Sequence, residues 1–286
     1  MGEFPPFPAA ARAAGEAVCG APIELTEISY RRGAAVWKAA GPEGAVAVKV
    51  GDDEGAAVTQ REAAVLKAIG WPDYLLASGE GEEAGAAWLV TRWFTGPSTG
   101  QVFAPVRRDM DGKAGALSAS VDLCRAVADL HASGWIHSDL QPAHGIHTDH
   151  GVRLLDLSWS WRRGLEPTSD FRGGLTHLVA PELAAAINIG IQPVTPSAAA
   201  EVYALAGTLW TCITGRWPLD YAAAGIDPVQ LTPANLRTHI AGRRVPLDTA
   251  SPWPAFQDIL RPVLLGRTGD RPTAAELAES LAKVAM

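Results

Sequence analysis

The sequence has little cysteine: its only three cysteines, Cys19, Cys124 and Cys212, lie far apart in the chain. No two of them form a CxxC pair, which argues against a zinc site and a disulfide framework and favours a reducing compartment. Positive charge is also scarce, because 24 Lys and Arg face 31 Asp and Glu, for a formal net charge of −7. This acidic balance argues against a nucleic acid as the partner.

Long apolar runs are absent as well. No run approaches the roughly 18 residues that indicate a membrane-spanning helix. The first residues show no basic segment followed by an apolar block, as a secretory signal would. We therefore expect a cytoplasmic protein with no membrane partner. The 286 residues are 48% hydrophobic, which allows a sizeable core in one or two lobes, and the Ala/Gly/Pro/Arg-rich composition suggests a bacterial source.

Hydrophobic periodicity changes character partway along the chain. In the first part, "AVAVKV" (45–50) alternates as a strand does, and "TQREAAVLKAIG" (59–70) is a single amphipathic helix. After "TGPSTG" (95–100) helices predominate. The pattern predicts an α+β fold in three parts: a flexible N-terminal arm (1–22), a small, mainly β lobe with one key helix (23–95) and a larger, mainly helical lobe (96–286).

Four charged residues occur in an order that suits phosphoryl transfer. Lys49 lies near the end of a strand, and Glu62 follows on a helix. Asp139 lies in a loop after a long helix, and Asp156 ends a strand pair. This chemistry needs a cation on the nucleotide phosphates, a carboxylate for Mg²⁺ and a carboxylate near the attacking hydroxyl. Each residue alone is weak evidence, and the combination carries the hypothesis.

The motifs around these residues resemble those of the eukaryotic-like, bacterial Ser/Thr protein kinase family. "VAVKV" and "REAAVLKAI" are similar to its nucleotide-binding strand and partner helix, "LHASGWIHSDLQPAH" to its catalytic loop, and "RLLDLS" to its Asp-Phe-Gly segment. "LVAPEL", "EVYALAGTLWTCITGRWP" and "GRTGDRPTAAEL" are similar to motifs of its larger lobe. The resemblance spans about residues 24–285. It implies a bilobal protein-kinase-like fold and an ion pair between Glu182 and Arg271.

The resemblance also assigns roles within a site. It implies ATP and Mg²⁺ (or Mn²⁺) as cofactors, with Asp139 meeting the substrate hydroxyl beside Gln141, and Asp156 and His144 at the metal. The residues it places at the nucleotide are Val36, Ala47, Lys49, Glu62, Thr91, Arg92, Trp93, Phe94 and Leu155 (or Leu154).

The catalytic loop departs from the family pattern at three positions. Ser138 replaces an arginine that meets a phosphate on the activation segment, which argues against switching by that route. Gln141 replaces a lysine and brings hydrogen bonds without charge. His144 replaces a metal-holding asparagine, and neutral imidazole is a poor ligand for hard Mg²⁺. Either His144 hydrogen-bonds within the loop and Asp156 alone holds one Mg²⁺ or Mn²⁺, or nucleotide handling has been lost. A metal cluster of His144, His147 and His150 is disfavoured because a strand and turn would make these side chains diverge.

Two further departures lie outside this loop. Ser29, Arg31 and Ala34 stand at the family's three glycine positions, where glycine lets backbone N–H groups approach phosphates. Arg31 and Arg32 could supply cations there instead, or the segment is a solvated hairpin tip. Glu201 replaces the aspartate that anchors the catalytic loop.

The segment after Asp156 has Leu157 and Ser158 in place of Phe-Gly, which restricts backbone switching. If the chain is extended here, Trp159 and Trp161 lie on one side of it. They would either pack against the larger lobe or form a peptide-binding surface. The candidate substrate-binding residues are Trp159, Trp161, Arg162 and Arg163.

Three functions follow from these observations. The first is ATP-dependent phosphotransfer to Ser or Thr of a protein or peptide, for instance a ribosomal precursor peptide from which a partner lyase eliminates phosphate. The second is a pseudokinase that acts as a nucleotide-binding, scaffold or allosteric module for a regulatory partner. The third is a small-molecule kinase, which the Ala-Pro-Glu and Arg-Pro-Thr elements disfavour. Retention of Lys49, Glu62, Asp139 and Asp156 favours the first.

Overall fold

The computed structural model describes residues 4–81, 85–108, 110–165, 171, 173–190 and 193–284. Contacts divide the chain into two compact units. The first contains the chain up to Phe94 together with Leu157–Trp159, and the second contains Thr95–Asp156 and the chain from Ser160 onward. The first unit is built on a β-sheet and the second mainly on helices. The predicted α+β class is therefore confirmed, and the elements are those of a kinase-like fold.

One antiparallel sheet frames the first unit. Its strands are β1 (Glu24–Arg31), β2 (Ala34–Gly41), β3 (Gly44–Gly51), β4 (Leu75–Glu80) and β5 (Ala87–Arg92), in the order β1-β2-β3-β5-β4. Successive side chains of a strand point to opposite faces. One face carries buried residues, among them Trp37, Val46 and Val48. Lys49 lies on the other face, opposite Val36 of the neighbouring strand.

Helix α1 (Ala9–Cys19) packs on the buried face of this sheet, so the prediction of a flexible arm is wrong for these residues. Ala11, Gly15 and Cys19 point inward, and the Phe7 ring packs edge-on against Trp37 with 5.3 Å between centroids. The inward residues are small and lie four apart. They let the helix approach closely, yet they add little to a hydrophobic pattern, which is why the sequence suggested an arm.

The β1–β2 connection is a two-residue turn in place of a glycine-rich loop. Arg32 and Gly33 both have positive φ, 53° and 71°, as a tight hairpin turn requires. The Gly33 carbonyl accepts the N–H of Asp52 at 2.9 Å, just before helix α2 (Asp53–Ile69). A Cβ on Gly55 would overlap the same carbonyl. The tip of the hairpin is therefore tied to the start of α2.

Within its described residues, the second unit contains eight α-helices and two short strand pairs. Strand β6 (Trp135–Ile136) pairs with β9 (Trp161–Arg162), and β7 (Gly145–Thr148) pairs with β8 (Gly151–Leu154). The helices are α3 (Thr99–Val102), α4 (Ala104–Arg107), α5 (Lys113–Ala132), α6 (Pro181–Ile189), α7 (Ala198–Thr214), α8 (Pro233–Ala241), α9 (Pro254–Leu265) and α10 (Ala274–Leu281). Helix α7 is buried along most of its length. Among the described residues, no helix has the length and apolar character needed to cross a membrane.

The predicted ion pair between Glu182 and Arg271 is confirmed. Arg271 donates from its two terminal nitrogens to the two Glu182 oxygens, at 2.5 and 2.9 Å, and to the Ala199 carbonyl at 3.0 Å. Its fully buried guanidinium lies over the Tyr203 ring, 5.0 Å from the centroid. Burial alone raises the pKa of Glu182, but the hydrogen bonds and charge of Arg271, together with bonds from the Glu182 backbone and Thr268, lower that pKa overall. Arg271, in the segment before α10, thus joins the start of α6 through Glu182 and the start of α7 through Ala199.

We expect Arg271→Ala to lower the free energy of unfolding by about 3 kcal/mol, because it leaves a partly buried carboxylate without its partner. The matched control is Arg125→Ala, whose exposed pair with Asp122 spans 3.6 Å and contributes at most about 1 kcal/mol. Urea unfolding of both variants measures the difference. Equal losses would contradict a structural role for the buried pair.

Candidate active site

Lys49 and Glu62 form a close ion pair in the first unit. The Lys49 Nζ lies 2.6 Å from Glu62 Oε2, and the two side chains are 14% and 8% exposed. The other Glu62 oxygen accepts the backbone N–H of Leu157 at 3.2 Å. Both carboxylate oxygens are thus engaged, which fixes the group that holds Lys49. The predicted pairing is present, and its role toward nucleotide phosphates stays a prediction.

The strand register brings other predicted nucleotide-binding residues to the Lys49 face. Val36 lies opposite Lys49, and Ala47 lies opposite Thr91. Because directly opposed residues share a face of the sheet, these four side chains point the same way. All four are half-buried, and helix α1 packs on the opposite face.

The resemblance places Arg92, at the end of β5, and the following Trp93 and Phe94 at the nucleotide. The Arg92 N–H donates to the Tyr74 carbonyl at 3.1 Å, and the Trp93 N–H donates to the Ala45 carbonyl at 3.3 Å. Neither N–H is therefore a donor to a ligand unless that bond breaks. The Phe94 ring packs against Tyr74 with 4.7 Å between centroids.

In the second unit, Glu201 of α7 anchors residues 137–144, which we call the candidate catalytic loop because they resemble that loop of kinases. Its carboxylate accepts the backbone N–H groups of His137 at 3.0 Å and Ser138 at 2.6 Å. His131 of α5 lies 2.6 Å away through Nε2. Burial by itself raises the pKa of Glu201, but the bonds and charge of His131 help to lower it overall. The predicted anchor is present, and the Glu201 carboxylate has three partners: the N–H groups of His137 and Ser138 and the ring of His131.

His137 links the loop to the strand segment that ends at Asp156. Its ring is buried, Nε2 donates to the Leu155 carbonyl at 2.9 Å, and Nδ1 accepts the Asp139 N–H at 3.3 Å. Burial lowers the pKa of His137, so the ring is neutral at pH 7. The Leu155 N–H donates to the His144 carbonyl at 2.8 Å. Leu155, predicted to line a nucleotide site, thus acts here through its backbone.

Asp139 is a buried carboxyl, only 9% exposed. Gln141 Nε2 donates to its Oδ1 at 3.2 Å, and the backbone N–H of Leu175 also donates to it. Burial, followed by the negative charge of Asp156, raises the pKa of Asp139 to about 7, against the opposing effect of these bonds. A carboxylate with this pKa can accept a proton near neutral pH, as a general base must.

Asp139, His144 and Asp156 can together meet a cation, since one ligand atom of each lies within 4.8 Å of the others. His144 Nε2 is 3.9 Å from Asp156 Oδ2. Two carboxylates and an imidazole fit a divalent ion. His147 instead lies 2.9 Å from Thr99 Oγ1 through its Nε2.

The prediction that Trp159 and Trp161 share one side of an extended chain is wrong. Trp159 ends a 3₁₀ turn, Leu157–Trp159, that belongs to the first unit, whereas Trp161 lies in β9 of the second. The turn breaks the period-two alternation on which the prediction depended. Trp161 Nε1 donates to the Leu165 carbonyl at 2.8 Å. Arg162 and Arg163 are exposed, and residues 166–170 and 172 of this segment lie outside the described residues.

Sequence reasoning missed two contributions to the site. His131 stands six residues before residue 137, where the candidate catalytic loop begins, and its ring bonds Glu201. Gly174, with φ of 63°, lies so close to Asp139 that a Cβ on it would overlap the Asp139 Oδ1. The "GG" pair at 173–174 was the available signal for that approach.

Comparison with known proteins gives a partial match to Ser/Thr kinases. The proto-oncogene serine/threonine-protein kinase mos of Sus scrofa is 33% identical over 106 residues, 36% of this chain and 28% of that protein. The serine/threonine-protein kinase mos of Gallus gallus is 32% identical over 108 residues, 36% of this chain and 29% of that protein. No protein-family model matches. The chain spans less than a third of these relatives' length, and the similarity supports a protein-kinase-like family and a kinase-type function in general.

We expect Asp139→Asn to raise thermal stability at pH 8. The raised pKa means that the folded state holds this proton more tightly than the unfolded state, whose pKa is 3.8. Ionised Asp139 therefore destabilises the fold progressively as pH rises from about 4 through about 7, by on the order of a few kcal/mol. Melting of both proteins at pH 5 and pH 8 tests this. The advantage of the variant should grow with pH, and a constant difference would contradict the buried charge.

We also expect Gly174→Ala to be more disruptive than Gly164→Ala. Both glycines have positive φ, 63° and 87°, but a Cβ at Gly164 meets open space. The control should lose about 1 kcal/mol from backbone strain alone. Gly174→Ala adds the overlap with Asp139, so its unfolding free energy should fall further, and proton exchange at the Leu175 amide should speed up. Equal effects would show that the segment does not rest on Asp139.

Proposed function

We propose that the chain is an ATP-dependent phosphotransferase of protein-kinase type that acts on Ser or Thr of a protein or peptide. The observation that carries the proposal is the state of Asp139. It is a buried carboxyl with a pKa of about 7, within 4.8 Å of the possible metal-binding atoms of His144 and Asp156. This arrangement suits removal of a proton from a hydroxyl beside a bound cation.

Each retained residue has a role in this chemistry. Asp139 orients the substrate hydroxyl and accepts its proton, while Gln141 holds Asp139 by donating to Oδ1. Lys49, held by Glu62 at 2.6 Å, would contact the α- and β-phosphates of ATP. Asp156 and His144 would hold Mg²⁺ or Mn²⁺. When bound, the cation neutralises charge on the phosphates and aligns them for transfer.

The proposed substrate is a polypeptide hydroxyl. Support comes from the partial similarity to Ser/Thr kinases and from the Glu182–Arg271 pair, an element that small-molecule kinases of the aminoglycoside type lack. Exposed Arg162 and Arg163 and half-buried Trp161 are the proposed peptide contacts. A ribosomal precursor peptide with a partner lyase is one such system.

A pseudokinase, serving as a nucleotide-binding or scaffold module, is the second candidate. The observation that favours it is the β1–β2 turn. Its tip is tied to α2 through the 2.9 Å bond between Asp52 and Gly33, where active kinases have a glycine-rich loop that covers the phosphates. The loss of charge at Gln141 points the same way.

Phosphate transfer from radiolabelled ATP to a Ser/Thr peptide library separates these functions. We expect labelled peptide with wild type and a loss of about 10²–10⁴-fold with Asp139→Asn, since a general base contributes that much. Arg125→Ala, at an exposed pair, is the control and should keep full activity. Unaltered labelling by Asp139→Asn would refute the assigned role.

The other outcomes each identify a different function. Thermal stabilisation by ATP without phosphate transfer indicates the nucleotide-binding module. If ATP causes neither stabilisation nor transfer, the result indicates a scaffold. Transfer to a metabolite with unlabelled polypeptide indicates a small-molecule kinase.

A further inference from the structure

The His144 ring is held in one orientation at the edge of the Asp139–Asp156 pair. Its Nδ1 lies 2.8 Å from the backbone carbonyl of Asp139. A carbonyl can only accept, so Nδ1 carries the proton, and in the neutral ring the lone pair lies on Nε2. The Nε2 is the nitrogen 3.9 Å from Asp156 Oδ2. A hydrogen bond from one ring nitrogen that fixes the tautomer and aims the other is the usual support of a metal-binding histidine.

The backbone holds His144 and Asp156 in fixed register. The His144 N–H donates to the Gln141 carbonyl at 2.9 Å, and its carbonyl accepts the N–H of Leu155, the neighbour of Asp156, at 2.8 Å. These bonds lie at the base of the β7–β8 hairpin, where Gly145 pairs with Leu154. The two ligand atoms therefore need only a small side-chain adjustment to share one ion.

The donor set differs in kind from one made of oxygen alone. Mg²⁺ prefers oxygen ligands in strict octahedral geometry, whereas imidazole favours transition-metal ions, and affinity for a mixed N/O site rises along the series from Mn²⁺ to Cu²⁺. The Asp139 carboxylate, within 4.8 Å, adds negative charge that attracts any dication. The carboxylate oxygens do not discriminate strongly between Mg²⁺ and Mn²⁺, so the His144 Nε2 determines which of these ions the site prefers.

We propose that His144 makes this a site for a transition-metal ion such as Mn²⁺ in preference to Mg²⁺, bound by His144 Nε2 and Asp156 with water completing the shell. The inference rests on the proposed function only in taking the ion to be the one that accompanies ATP. The site itself is formed by residues of the second unit alone.

Mn²⁺ binding to the full chain, without nucleotide, is measured from the loss of the free-ion electron paramagnetic resonance signal, with Mg²⁺ as competitor. We expect wild type to bind Mn²⁺ at least about tenfold more tightly than Mg²⁺, and His144→Asn to lose most of that preference. His150→Asn, at the exposed hairpin turn, is the matched control and should behave as wild type. An unchanged Mn²⁺/Mg²⁺ ratio in His144→Asn would overturn the proposal.

A second readout does not depend on the variant folding. Electron spin echo modulation of Mn²⁺-loaded wild type should show coupling to one imidazole nitrogen, and its absence would also overturn the proposal. Failure of the phosphotransferase function is distinguishable, because it leaves both metal measurements intact. If Mg²⁺ and Mn²⁺ support phosphate transfer equally and the chain shows no preference for binding Mn²⁺, the proposed phosphotransferase function would stand and the inferred metal preference would be overturned.

Discussion

The candidate catalytic loop depends on the hydrogen bonds that the Glu201 carboxylate accepts. This carboxylate is buried in α7 and receives two backbone N–H groups of the loop and the ring of His131. A buried carboxylate without such donors would be strongly destabilising, so these bonds favour the path that the loop takes. That path turns Ser138 to a φ of 71° and sets the direction in which Asp139 projects.

The same loop contains the opposite electrostatic arrangement. Glu201 is surrounded by donors that favour its charge, whereas Asp139 is buried beside Asp156 and its charge is disfavoured. Glu201 accepts the N–H of Ser138, the residue before Asp139, yet the pKa values of Glu201 and Asp139 are shifted in opposite directions by their surroundings. Glu201 stabilises the loop, and Asp139 has the pKa that proton transfer at neutral pH requires. The stability lost at Asp139 is offset by bonds such as those of Glu201.

Two of the ion pairs that the resemblance implies are present in shielded positions. Lys49–Glu62 and Glu182–Arg271 are both close and largely shielded, and removing one partner of such a pair leaves a costly buried charge. Gln141 and His144 instead stand where the resemblance implies a lysine and an asparagine. Under the proposed function, these two residues would alter how the site handles phosphate and metal.

The sequence by itself determined the α+β class, the strand with Lys49 and the helix with Glu62, because these depend on local periodicity. The pairing of Glu182 with Arg271 was implied by the resemblance of its motifs to a known family. The sequence did not reveal helix α1, whose small inward residues carry little hydrophobic signal. The tertiary structure alone decided that Trp159 and Trp161 lie in different units and that Gly174 approaches Asp139. It also set the pKa of Asp139. Burial and proximity join residues far apart in the chain, and those energies exist only once the chain has folded.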